Sequence, residues 1–356
     1  MLKQRTMKIS IYFILFITTL NINAQTLNNR SSQLKEISNK IEAYYIFENI
    51  GKELTKKLNI EIKNKTFDKL SNQEFADSLS TYLTKNGNDL HFNVLYRPIK
   101  KNEEINEKEL IKQYDAINKQ WNYGFEKVLR LDGNIGYIQY TGFPPANKNA
   151  TQTLDATMNF VSNTNALILD LRDNNGGDGE MVKRFLSYFF VKKTKISESY
   201  TRFNNKTSIS YTYNKVRGKK YLNKPIYILV NNGTISAAEA LAYELQNNKG
   251  ATIIGEKTYG AANPIKAFYI DNLFHLFVPI SEVRNAVTQS NWEHKGVDLD
   301  IRIENNKAIN KAHSLALEEL LSIKVKMELT VKEVKEKIGN LKMELKKQTW
   351  SKNDNY

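Results

Sequence analysis

The stretch Ala166-Leu167-Ile168-Leu169-Asp170-Leu171-Arg172-Asp173-Asn174-Asn175-Gly176-Gly177 reads as a strand running into a tight loop. Ala166–Asp170 is a short apolar run without polar alternation, the pattern of a strand buried on both faces. The Gly-Gly pair ends it, and Met181–Phe190 then reads as a helix. Upstream, Ile135–Tyr140 reads as a strand and Thr153–Ser162 as a helix. Downstream come a strand at Pro225–Val230, a helix at Ser236–Gln246 and a strand at Ala251–Gly255. Strands alternating with helices predict an α/β fold built on a mainly parallel sheet. Such sheets bind ligands beyond the carboxyl ends of their strands. Asn174–Gly177 and Asn231–Ser236 both occupy that kind of position.

All six prolines fall between 98 and 279, and the flanks read as helical. In 31–86 apolar residues recur every three or four positions, as in Leu34, Ile37 and Ile41 and again in Phe75, Leu79 and Leu83. A helical domain over 25–98 is expected, then a charged linker or mobile loop over 99–121. The α/β core is expected over 122–308, with a charged helical tail over 309–356. In that tail Met327, Val331, Val334, Ile338, Leu341 and Leu345 form one apolar seam. The seam suits packing on its own domain and also admits a homo-oligomer.

Residues 1–24 read as a secretory signal: Lys3, Arg5 and Lys8 precede the apolar run Ile9–Leu20, and Ala24 offers a small residue at the cut. The run is too short to span a bilayer. The expectation is a periplasmic or secreted protein with no stable membrane span once the signal is removed. The 356 residues carry a formal charge of +14 and no cysteine. Zero cysteine excludes a disulfide framework, a thiol nucleophile and a thiolate metal site. With four histidines and no His-x-x-x-His pair, no metal or other cofactor is expected. The basic balance raises nucleic acid as a partner. No zinc-finger spacing or Gly-rich phosphate loop supports it, so none is expected.

Ser236 follows a strand and opens a helix in Gly233-Thr234-Ile235-Ser236-Ala237-Ala238-Glu239. A hydroxyl there feels the positive end of the helix, and the Ala237 amide is placed for an oxyanion. Ser-x-x-Glu is equally a capping box, with Ser236 as N-cap and Glu239 at N3. Gly176 and Gly177 let a backbone come close, or form an ordinary turn. His91 and Glu293 sit in short loops, and spacing alone links none of these places.

In order along the chain the segments resemble the tail-specific, or C-terminal processing, serine peptidases. The similar branch is that of interphotoreceptor retinoid-binding protein and the tricorn core protease. The resemblance rests on Asp89-Leu90-His91-Phe92-Asn93-Val94, Asn122-Tyr123-Gly124-Phe125, Gly133-Asn134-Ile135-Gly136-Tyr137, the 166–177 stretch, Ile235-Ser236-Ala237-Ala238-Glu239, Gly255-Glu256-Lys257-Thr258-Tyr259-Gly260, and Asn291-Trp292-Glu293 through Gly296-Val297. It implies a Clp-protease/crotonase-like core beside the N-terminal helical domain. It implies Ser236 as nucleophile, with Gly176, Gly177 and Ala237 as the oxyanion hole.

Where the tail-specific branch has its lysine base, this chain has Ala261, with Lys257 and Lys266 out of register. The tricorn-like branch uses a histidine and a downstream glutamate, which His91 and Glu293 match. That branch's bridging serine is Leu90 here, so Asp89 rivals Glu293 as the group orienting His91. The resemblance implies peptide-bond hydrolysis by a Ser/His mechanism on a peptide or protein substrate. The alternative is a non-catalytic carrier of the same fold, with Phe268, Tyr269, Phe274 and Phe277 lining an apolar pocket.

Overall fold

A computed structural model describes residues 30–98, 107–323 and 329–350. The expected signal at 1–24 and Met327 of the seam lie outside these residues. In chain order the helices are α1 (30–44), α2 (Glu48–Asn64), α3 (Asn72–Gly87), α4 (Glu107–Gln120), α5 (Lys148–Val161), α6 (Gly179–Leu186), α7 (Ala237–Lys249), α8 (Ala308–Ser322) and α9 (Val331–Trp350). The strands are β1 (Asn93–Tyr96), β2 (Phe125–Leu131), β3 (Ile135–Tyr140), β4 (Ala166–Asp170), β5 (Lys195–Thr201), β6 (Lys206–Tyr211), β7 (Ile226–Val230), β8 (Thr252–Gly255), β9 (Ile265–Ile270), β10 (Phe274–Pro279), β11 (Ser281–Asn285) and β12 (Ile301–Arg302). None of the described helices is long and apolar enough to cross a membrane.

The chain divides into two compact units. Of the described residues, the first comprises 30–98 with 201–206 and 264–282, and the second comprises 107–200, 207–263, 283–323 and 329–350. In the first, α1–α3 bury Leu34, Ile37, Ile41, Leu54, Phe75 and Leu79 against an antiparallel sheet of order β1-β10-β9. Val94 pairs with Leu276, which pairs with Phe268. The segment 264–282, expected inside the α/β core, therefore folds with the N-terminal helices, because β10 supplies β1 with its only sheet partner among the described residues. Arg202 explains the other insertion: its guanidinium donates to the carbonyls of Tyr45 and Glu42, each at 2.6 Å.

The second unit is built on a six-stranded sheet of order β12-β8-β7-β4-β3-β2. Its strands run parallel except β2, which makes an antiparallel hairpin with β3. Both faces are covered, which is why β4 and β7 are buried at every residue. Ile138, Leu167, Leu169, Ile228 and Val230 pack with residues of α5, α6 and α7. Tyr137, Ile168, Tyr227, Leu229 and Ile254 pack with residues of α8 and α9. The third sheet, of order β11-β5-β6, lies mostly in this unit.

Two expectations are corrected. The linker region 99–121 contains a helix, α4, over Glu107–Gln120; its many charges mask the helical spacing of Ile111, Tyr114 and Ile117. The tail is two helices, α8 and α9, rather than one segment. Val334, Ile338 and Leu341 of the seam are buried on their own unit's sheet, which covers the middle of the face a homo-oligomer needs. The carrier reading also loses its lining, since Phe268 and Phe274 are buried in the first unit's core.

Candidate functional site

Parallel neighbours end at the same edge of a sheet, so the turns after β4, β7 and β8 meet at one edge of the second unit. Asn174 and Asn231 cross-link the first two. The Asn174 side-chain amide donates to the Tyr140 carbonyl at 2.7 Å, and its oxygen accepts the Gly176 N–H at 2.9 Å. The Asn174 carbonyl accepts the Ile235 N–H at 2.9 Å. Asn231 Oδ1 accepts the N–H groups of Asp173 and Gly233, and its amide donates to Asp173 Oδ1 at 2.8 Å. These are Asx turns, and each Asn fixes its own loop and the neighbouring one together.

Ser236 stands at the N-cap of α7 with φ 55° and ψ −111°. No residue other than glycine adopts such a backbone without strain, about 1–3 kcal/mol, and such strain gathers at functional positions. Glu239 holds it there. The fully buried Glu239 carboxylate accepts the N–H of Ser236 at 2.9 Å, of Gly260 at 2.6 Å and of Ala261 at 3.0 Å. Burial raises this carboxyl above its ordinary value, and the N–H donors pull it back. One carboxylate thereby ties the Ser236 turn to the turn after β8.

Gly176 packs directly on the Ser236 turn. A Cβ there would lie 2.6 Å from the Ile235 carbonyl oxygen and 3.0 Å from Ala237 N, so only glycine fits. Because the Gly176 N–H is given to Asn174, it is not the free donor that sequence reasoning assigned. Gly177 is the better candidate. It forms a parallel bridge with Phe143 in which the neighbours, Gly176 and Asp178, make the bonds. The Gly177 N–H faces the other side and meets no acceptor among the described residues. The Ala237 N–H is the first of α7, one of the donors a helix leaves unused. Two unengaged amides therefore sit on two turns that touch.

Glu293 lies in the same unit. Its carboxylate accepts the N–H of Ala262 at 2.6 Å and of Asn263 at 3.1 Å, while its own N–H is held by Asn291 Oδ1. Trp292 Nε1 donates to the Ala261 carbonyl at 3.0 Å. The loop carrying Glu293 is thus joined to the segment 260–263 that Glu239 anchors. His91 belongs to the first unit, in the loop between α3 and β1. Asp89 beside it is buried; it accepts the His91 N–H at 3.0 Å and the Tyr45 hydroxyl at 3.1 Å. His91 Nδ1 lies 3.6 Å from Asp89 Oδ1, close enough for attraction and too long for a hydrogen bond.

Residues 134–303 match the sequence profile of peptidase family S41. The matched segment is similar to that family over its whole length. It contains the three turns, Ser236 and Glu293, while His91 lies before it. Over 175 residues the chain is 29% identical to the carboxy-terminal processing protease CtpA of Bacillus subtilis, covering 49% of this chain and 36% of that protein. Over 129 residues it is 34% identical to a carboxyl-terminal-processing protease of Synechocystis, covering 36% and 28%. The chain thus spans about a third of the length of the curated relatives it matches. The structure of mature CPAF superposes with a TM-score of 0.58 at 11% identity, covering 86% of this chain and 100% of that one, a likeness of fold.

Within the S41 segment, sequence reasoning saw Glu239 only as a capping residue, because its bonds to Gly260 and Ala261 are tertiary. It also passed over Arg172, which forks onto Asp170 through Nε at 2.8 Å and Nη2 at 2.5 Å and donates to the Asn305 carbonyl at 2.5 Å. With the Tyr137 hydroxyl on Asp170 at 2.7 Å, this fixes the end of β4 from which the glycine turn springs. The spacing Asp-x-Arg at a strand end was the available signal.

The same helix, α7, carries a second buried acid, Glu244. Burial pushes its carboxyl up to about 8, against hydrogen bonds that include Asn248 Nδ2 at 2.9 Å. A carboxyl raised in the folded state stabilises fully below its ordinary value of 4.5, and that stability is lost as pH rises through about 8. Glu244→Gln should therefore flatten the fall in stability between pH 5 and 8. The variant is expected to be more stable than the wild type at pH 8 by about 3 kcal/mol relative to their difference at pH 5. Calorimetry of both proteins across that range checks it, and parallel slopes contradict it.

Proposed function

We propose that this chain is an extracytoplasmic serine peptidase, with a core of the Clp-protease/crotonase kind, in which Ser236 attacks the peptide carbonyl. The observation that carries the reading is Ser236 in a strained turn at the start of α7, beside the unengaged amides of Ala237 and Gly177. The Ser236 Oγ bonds to the carbonyl carbon and gives its proton to His91. The carbonyl oxygen becomes an oxyanion held by the two amides, a contribution on the order of 3 kcal/mol per donor. His91 then passes the proton to the departing amine, and water repeats the sequence on the acyl-serine.

Ala261 stands where a lysine base would be, and it is buried, which supports histidine in the role. The 3.6 Å approach of Asp89 Oδ1 to His91 Nδ1 supports Asp89 as the group that orients the imidazole, with Glu293 as the second candidate for that task. The substrates would be extended peptides or protein C-termini, which present unpaired backbone to a sheet edge. The basic and apolar start of the chain supports secretion or the periplasm as the site of action.

Mass spectrometry of an unfolded protein substrate after incubation tests this. Cuts are expected with the wild type, none with Ser236→Ala, and cuts about 100- to 10,000-fold slower with His91→Ala. Cleavage that survives Ser236→Ala contradicts the assignment.

A further inference from the structure

Away from the three turns, the second unit holds a cavity of about 380 Å³ between α5, α6 and the loop before Tyr221, lined in part by Lys148, Arg184, Lys215 and Arg217. Against these four cations the lining has one carboxylate, Asp155, which already accepts the Tyr188 hydroxyl at 2.5 Å. Arg184 leans on Glu180 at 3.4 Å. No described carboxylate pairs with Lys148, Lys215 or Arg217. Leu154 and Val216 add apolar wall, and Gln152 adds an amide donor.

The loop bearing two of the cations is held in place. Lys220 Nζ donates to the carbonyls of Phe190, Val191 and Asn214 at 2.7, 3.0 and 2.9 Å, closing the loop on itself. The Tyr188 hydroxyl donates to the Arg217 carbonyl at 2.9 Å. Gly218 has φ +86° and sits against Asn159, where a Cβ would lie 1.8 Å from Oδ1. A lysine spent on backbone carbonyls and a glycine at positive φ hold the backbone of this loop. A backbone held in advance presents these exposed cations from fixed positions on the chain, which favours a ligand of opposite charge.

We propose that this cavity is an exosite for carboxylate side chains of the peptide substrate. Asp155 and Glu180 favour singly charged carboxylates over a compact dianion such as phosphate. Position favours the substrate chain itself: α6 begins two residues after Gly177, and Arg184 lies about 7.5 Å further along its axis. An extended chain advances roughly 3.3 Å per residue, so an acidic residue roughly three to five positions from the attacked bond reaches it. The identity of the bound chain rests on the peptidase reading, whereas the anion site does not.

The test is fluorescence anisotropy on full-length Ser236→Ala protein, using two labelled peptides that differ only in Asp/Glu against Asn/Gln. The acidic peptide is expected to bind about tenfold more tightly at low salt, with the advantage shrinking as salt rises. In a Lys215→Gln/Arg217→Gln background the advantage should fall below threefold. It should persist in Lys332→Gln/Lys335→Gln, which removes the same charge from exposed positions on α9. Equal loss in both backgrounds, or no preference for the acidic peptide, overturns the proposal. So does displacement of the acidic peptide by inorganic phosphate below millimolar concentration. Failure of Ser236 to react with a serine-directed probe in the wild type defeats the peptidase reading while leaving this binding result standing.

Discussion

Ser236→Ala should lower peptide hydrolysis by at least ten-thousandfold while moving the melting temperature by no more than a degree or two. The first half follows from the chemistry: without the hydroxyl there is no acyl intermediate, and only binding and the amide donors remain. The second half separates nucleophile from cap. Alanine must adopt the same φ of 55° and meets the same strain. The Glu239 carboxylate bonds the Ser236 backbone N–H, which the substitution keeps. A serine retained as a helix cap would instead cost about 1 kcal/mol or more on truncation. Rates on a fluorogenic peptide beside a thermal melt read both quantities from one preparation.

Glu239→Ala is expected to be the more damaging change to the protein as a whole. It strips the acceptor from three N–H groups, those of Ser236, Gly260 and Ala261, two of them in fully buried bonds. Each of the two buried donors costs about 1–3 kcal/mol when stranded, so a loss of roughly 2–6 kcal/mol and about 10 °C in melting temperature is expected. Activity should fall sharply with it, since the bonds that hold the Ser236 N–H and those that join its turn to residues 260–261 are lost together. Glu239→Gln keeps one acceptor oxygen and should fall between the two in stability. If Glu239→Ala melts within a degree or two of the wild type, the carboxylate does not brace the turn.

The parts of the fold legible in sequence were those with local causes. β4 is the continuous apolar run Ala166–Asp170, and its bounds agree because both faces of the strand are buried and no polar alternation blurs them. The turns carrying Gly176 and Ser236 were legible for a related reason: consecutive parallel strands place their ends at one edge, whatever fills the crossovers. The pairing of β10 with β1 was not legible, since Val94 and Leu276 lie far apart in sequence and nothing local ties them. α4 was hidden by its charge, although its apolar residues kept helical spacing.

The site divides along the same line. Ser236, Gly177 and Ala237 are set by strand ends and a helix start, and so could be read from pattern. The role of Glu239 could not, because its partners Gly260 and Ala261 reach it only through the tertiary fold. The assignment of the Gly176 amide failed on a local detail. Asn174-x-Gly176 is an Asx-turn pattern, and the asparagine takes the very N–H that the oxyanion would have used.

Labelling with a fluorophosphonate, mapped by peptide mass spectrometry, tests the central claim most directly: that Ser236 is an activated nucleophile. The account predicts a single adduct on Ser236 in the wild type and its loss or marked slowing in His91→Ala, with both proteins folded. A folded wild-type protein that takes no adduct on Ser236 would contradict it.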